Sequence, residues 1–187
     1  MLNKKYTVVI FGSSKSNSNT DDYSAAMKLA ALLAKQNITV MTGGGPGIME
    51  AANKGAAEAG GLTGAFRCEI KNEPANKECT PGMLFVCENM CERQDRFLQC
   101  ADTYVFFPGG YGTLDELFTV LVHIQINKIK KVPVILYNKE FWSGLISWLN
   151  QTVLFSGMIT PEDNNFYTIL DETQEAYGAI LSDYQLL

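Results

Sequence analysis

Glu116 and Thr113 are the residues of this chain whose types and spacing most directly suggest chemistry. Thr113 closes the run Pro108-Gly109-Gly110-Tyr111-Gly112, and Glu116 follows three residues later. A glycine-rich turn lets backbone N–H groups approach an anion closely. At the start of a helix those N–H groups have no intrahelical partner and carry the positive end of the helix dipole. The pattern therefore describes a phosphate seat with the Thr113 hydroxyl at its edge. Glu116 lies one turn further in and faces the same mouth, where a carboxylate can stabilise developing positive charge or orient water. Thr113-x-x-Glu116 is also a capping box, whose task is only to begin a helix. Three glycines and a proline directly ahead of it exceed what a cap requires.

Such a loop needs a strand to deliver it and a helix to receive it. Residues 103–107 form an apolar run that reads as a buried strand, and residues 113–126 carry Leu114, Leu117, Leu121 and Ile124 at helical spacing. The same plan occurs earlier. Residues 38–41 read as a strand, Thr42-Gly43-Gly44-Gly45-Pro46-Gly47 as a loop and residues 48–59 as a helix, with Pro46 suited to its first turn. Glu50 then lies one turn in, as Glu116 does, with a solvated helix residue as the equal alternative. This loop lacks the Gly-x-Gly-x-x-Gly dinucleotide fingerprint, and no convincing ribose-binding acid follows at the usual distance. A third candidate loop, Gly12-Ser13-Ser14, follows the strand at 6–11.

The remaining chain continues the alternation. A helix is expected at 23–36, capped by Thr20, Asp21 or Asp22, and strands at 62–66 and 84–87. Residues 67–83 have no clear period and contain Pro74 and Pro81, so they read as a long loop of the kind that often carries function. A helix at 89–100 places Met90, Arg93, Phe97 and Cys100 along one stripe. An arginine on an apolar stripe either pairs with a buried carboxylate or binds an anionic ligand. A strand at 132–137, a helix at 141–155, a strand at 166–170 and a helix at 171–181 complete the chain.

This βαβα order predicts an α/β fold: one Rossmann-like, doubly wound parallel sheet with helices on both faces, occupying 1–187 as a single domain. Ligands in such sheets bind beyond the carboxyl ends of the strands, where strand order reverses. All three loops lie at such ends and could share one pocket.

Composition narrows the alternatives. The 187 residues are 47% hydrophobic, enough for one substantial core. The net charge of −5 argues against a nucleic-acid partner. No apolar run has the length of a membrane span, and residues 1–6 lack the features of a signal peptide, so a cytoplasmic protein without a membrane partner is expected. Five cysteines, an odd number without ligand spacing, suggest neither a disulfide framework nor a metal site. The single histidine, His123, falls too deep in its helix to serve the loop.

Three segments, GGGPGIMEAANKGA at 43–56, NMCERQDRF at 89–97 and PGGYGTLDE at 108–116, together resemble the LOG ("Lonely Guy") family. Its members are cytokinin riboside 5′-monophosphate phosphoribohydrolases, formerly labelled lysine decarboxylases. The resemblance runs from Val8 to about Leu181. The decarboxylase label finds little chemical support here, because a pyridoxal cofactor needs a lysine setting that is not apparent. The resemblance implies hydrolysis of the N-glycosidic bond of a nucleoside 5′-monophosphate, AMP or a cytokinin riboside 5′-monophosphate, with no cofactor and no metal. The family's arginine and glutamate fall on Arg93 and Glu116. Many members have lysine after that arginine, where this chain has Gln94.

The implied site is Glu116 and Arg93 for catalysis, with Gly44, Gly45, Gly110, Gly112 and Thr113 around the phosphate. Ser13 and Met90 are expected to make further substrate contacts. A homodimer or larger assembly is also implied. The alternative is a non-catalytic nucleotide or molybdenum-cofactor carrier, since phosphate loops alone would serve both.

Overall fold

A computed structural model describes residues 5–70 and 73–185. Residues 1–4, part of the segment read as lacking a signal peptide, lie outside the described residues, as do Lys71 and Asn72 of the long loop. Seven strands form one sheet: β1 (Thr7–Phe11), β2 (Thr39–Thr42), β3 (Thr63–Arg67), β4 (Leu84–Val86), β5 (Thr103–Phe106), β6 (Val134–Tyr137) and β7 (Thr168–Leu170). Six α-helices accompany them: α1 (Asp21–Lys35), α2 (Ile48–Glu58), α3 (Met90–Cys100), α4 (Tyr111–Gln125), α5 (Lys139–Trp148) and α6 (Thr173–Tyr184).

All strand pairs are parallel and the order is β4-β3-β2-β1-β5-β6-β7. The chain winds outward from β1 to β4, then returns to the other side of β1 at β5. The reversal point expected of a doubly wound sheet is thus the β1/β5 boundary.

Side-chain alternation along β1 divides the core. Val8 and Ile10 point to the layer of α1, α2 and α6, with Leu29, Ala52 and Ile180. Val9 and Phe11 point to the layer of α3, α4 and α5, with Phe97, Leu117 and Trp142. A central strand covered on both faces must be apolar at every position, and all five residues of β1 are buried.

Several local expectations change. Of the three expected caps of α1, Thr20 is the one in place, its side chain accepting from the Tyr23 N–H, whereas other boundaries shift. The helix after the central loop begins at Tyr111, so Gly110 is its N-cap and Thr113 its third residue. Thr113 therefore forms no capping box with Glu116, and no side chain caps α4. Similarly, α2 starts after Gly47, which places Pro46 ahead of the helix and not in its first turn. The helix expected at 141–155 begins at Lys139 and passes into a π-helical turn, Leu149–Leu154. The loop before β7 contains a short 3-10 helix, Pro161–Phe166.

Candidate active site

The three loops meet at the β1/β5 boundary and are tied to each other by backbone. The Ser13 N–H donates to the Pro108 carbonyl at 2.9 Å, and the Ile48 N–H donates to the Ser13 carbonyl at 3.0 Å. Two glycines permit this closeness. Gly47 has φ +69°, and a Cβ there would strike the backbone of Ser13 and Ser14. A Cβ on Gly109 would strike the Thr113 side chain.

Above this junction lies a cavity of about 480 Å³, bounded by Gly12 to Lys15, by Gly110 to Thr113, and by Met49, Ile70, Glu73, Arg93 and Glu116. The first helical bond of α4 runs from the Leu114 N–H to the Gly110 carbonyl. The N–H groups of Tyr111, Gly112 and Thr113 precede it and have no i−4 carbonyl within the helix. With no side-chain cap, this end of α4 offers donors and the positive dipole end to the cavity.

On the cavity wall, α3 and α4 bring Arg93 and Glu116 together. Arg93 Nη2 donates to Glu116 Oε1 at 2.7 Å, and each residue is only 7% exposed. Arg93 is fixed by further contacts. Its Nε donates to the Phe66 carbonyl at 3.2 Å, its Nη1 to Met90 Sδ at 3.6 Å, and the guanidinium lies 5.4 Å from the centre of the Phe97 ring. Gly43 makes room for it, since a Cβ there would strike Arg93 Nη2 and come within 2.8 Å of Met49 Sδ.

Glu116 Oε2 makes no hydrogen bond to any described residue, and among the described residues no buried side-chain oxygen is left without a partner. Glu116 lines the cavity, and Oε2 is the oxygen that the pairing with Arg93 leaves open. Burial raises the Glu116 carboxyl to about 7, against the pull of Arg93 and with help from the charges of Asp115 and Glu73. A buried carboxylate beside a pinned guanidinium, below an uncapped helix start, can bind an anion at one end and act on a developing cation at the other.

Arg93, Glu116, Ser13, Gly110, Gly112 and Thr113 all fall on this cavity. Gly44, Gly45 and Met90 are not on its lining. Met90 supports the guanidinium from behind. The Gly44 carbonyl accepts from Arg67 Nη1 at 3.1 Å and from the Asn76 N–H at 2.9 Å, and the Gly45 carbonyl accepts from Asn76 Nδ2 at 2.9 Å. Glu50 is half-buried and off the lining. Gln94, in place of the common lysine, donates from Nε2 to Asp115 Oδ2 at 2.7 Å and links α3 to α4 beside the ion pair.

Sequence reasoning gave no role to Asn53, Arg67 or Glu73. Asn53 on α2 is fully buried. Its Oδ1 accepts from Thr42 Oγ1 and Asn76 Nδ2, and its Nδ2 donates to Thr63 Oγ1 and the Gly64 carbonyl. An asparagine inside the apolar face of a helix was the available signal. The described residues hold no cluster able to ligate a metal ion. None of the described helices is long and apolar enough to cross a membrane.

The chain is similar over most of its length to several known proteins. The family described as "Possible lysine decarboxylase" matches residues 49–180. Cytokinin riboside 5′-monophosphate phosphoribohydrolase LOG2 of Arabidopsis thaliana is 30% identical over 155 residues, covering 78% of this chain and 69% of its own. The enzyme of the same name from Mycobacterium tuberculosis is 28% identical over 157 residues, covering 82% of each. Among solved structures, the molybdenum cofactor binding protein of Rippkaea orientalis aligns over 97% of this chain and 98% of its own, with a TM-score of 0.71 and 23% identity. That level of identity speaks for the shared fold. By extent of match and by these relatives, the chain belongs to the LOG family, described as possible lysine decarboxylases, whose curated relatives are cytokinin riboside 5′-monophosphate phosphoribohydrolases.

Proposed function

We propose that this protein hydrolyses the N-glycosidic bond of a nucleoside 5′-monophosphate, AMP or a cytokinin riboside 5′-monophosphate, releasing free base and ribose 5-phosphate. The observation that carries this reading is the buried Arg93–Glu116 pair opening onto a cavity that also holds an uncapped helix start. The 5′-phosphate sits at the start of α4, over the N-cap Gly110 and against the N–H groups of Tyr111, Gly112 and Thr113, with Ser13 from the adjoining loop beside it. Each helix-end charge contact contributes roughly 0.3–1 kcal/mol when exposed, so several donors share the task.

Cleavage of the bond builds positive charge on the ribose ring, as in other glycosyl transfers. Glu116 Oε2 faces that charge, stabilises it and orients the attacking water. Arg93 fixes the carboxylate through Oε1 and favours its ionised form. The proton lost by the attacking water is the one the departing base nitrogen gains, so the reaction balances with water as the co-reactant.

A second reading is a carrier that binds a nucleotide or the molybdenum cofactor without turnover. It is favoured by the structural likeness to the Rippkaea orientalis protein. The carboxylate–guanidinium pair favours hydrolysis, because phosphate binding alone has no use for a buried acid. Base release from a panel of nucleoside 5′-monophosphates separates the two. The wild type is expected to release base. Glu116→Gln and Arg93→Ala, still folded, are expected to lose on the order of 10²–10⁴-fold. A wild type that binds these nucleotides and leaves them intact supports the carrier.

A further inference from the structure

We infer that Glu73, on the segment between β3 and β4, receives the ribose hydroxyls of the bound phosphoribosyl group; this rests on the substrate class proposed above. Glu73 and Glu116 are the two carboxylates on the cavity lining, and they come from different elements. Glu116 gives one oxygen to Arg93. A ribose brings two neighbouring hydroxyl donors, and a carboxylate with two oxygens can accept from both. Dinucleotide-binding sheets read ribose with such an acid, supplied near the end of the second strand. Here the residues after β2 are Gly43, Gly44 and Gly45, so that place holds no side chain. Glu73 brings a carboxylate to the space beside the last of them, Gly45.

The approach is built into the fold. A Cβ on Gly45 would lie 2.7 Å from Glu73 Oε1, so the glycine is what admits the carboxylate. Arg67, buried at the end of β3, donates to the Gly44 carbonyl and to the Glu73 carbonyl, and its Nη1 lies 4.0 Å from Glu73 Oε1. Asn76 ties the same segment to both glycine carbonyls, and buried Asn53 holds Asn76 in turn with a 3.0 Å bond. The second glycine loop thus mounts Glu73 and leaves the phosphate to α4. The charge of Glu73 is also felt at Glu116, which places both acids in one electrostatic field.

The test is calorimetric titration of wild type, Glu73→Gln and Glu73→Ala with ribose 5-phosphate and with 2-deoxyribose 5-phosphate, neither of which turns over. The wild type is expected to prefer the ribose form by about tenfold, the size of one charge-assisted hydrogen bond. Glu73→Ala is expected to bind the two sugars alike, and to bind 2-deoxyribose 5-phosphate more weakly than the wild type because its remaining 3-hydroxyl also loses an acceptor. Glu73→Gln, which keeps one acceptor oxygen without the charge, is expected to show a reduced preference; a full preference that survives Glu73→Ala overturns the assignment, as does a wild type that binds the two sugars equally or binds neither. Base release from AMP by the wild type is followed in parallel. Its absence, with the sugar preference intact and dependent on Glu73, would sink the hydrolase reading and leave the diol contact standing.

Discussion

Glu116 is clamped through Oε1 and open through Oε2, and this asymmetry lets one carboxyl be both fixed and reactive. Its proton is held up to about 7 from an ordinary value of 4.5, with burial as the largest cause. The proposed role needs the ionised form, so kcat/KM should fall as pH drops through about 7. Asp115 contributes to the rise from outside the cavity lining. Asp115→Asn should therefore move the acid limb of the kcat/KM profile to lower pH, and a limb that stays in place would remove Glu116 as its source. Gly43→Ala tests the clamp, because the new methyl meets Arg93 Nη2. Base release should drop on the order of a hundredfold, the effect of misplacing a reacting group by about an ångström. Unchanged kinetics would mean that the guanidinium position is immaterial. At this scale Arg93 and Glu116 were legible from an arginine on an apolar stripe and an acid after a glycine loop. Glu73 was not, because its segment has no period and its role depends on the empty space at Gly45.

Strand, glycine loop and helix recur at β2–α2 and β5–α4, and the sequence shows both. Their division of labour is not visible there. The start of α4 has no side-chain cap and lines the cavity, whereas the Ile48 N–H at the start of α2 is taken by the Ser13 carbonyl. The expected Thr113 cap fails for a related reason. Gly110 can begin the helix without a side chain, so Thr113 moves inside it and packs against Gly109. Asn53 holds the second loop to β3 and to the Glu73 segment. Asn53→Ala removes a partner from buried Thr42 and Thr63 and should cost about 1–3 kcal/mol. Chemical denaturation measures this, and a loss below a few tenths of a kcal/mol would show that the network does not brace the loop.

Across the whole molecule, alternation in the sequence was enough to give a parallel sheet covered on both faces. It could not give the strand order, which depends on β5 returning beside β1 instead of extending past β4. That return brings the first and central loops together and creates the cavity. On the outer side of α4, Phe118, Val122 and Ile126 recur every four residues and are all exposed. Such a stripe suits self-association. Light scattering after size exclusion should give twice the 20.6 kDa chain mass, and Val122→Glu should return the protein to a single chain. A wild type that runs as a monomer at micromolar concentration would contradict this.

The most direct test of the central claim is the stoichiometry of products from AMP. Chromatography for the base and an enzymatic assay for the sugar phosphate should find adenine and ribose 5-phosphate rising together in equal amounts with the wild type, and neither with Glu116→Gln. AMP recovered intact from the wild type, or equal product from Glu116→Gln, would contradict the account.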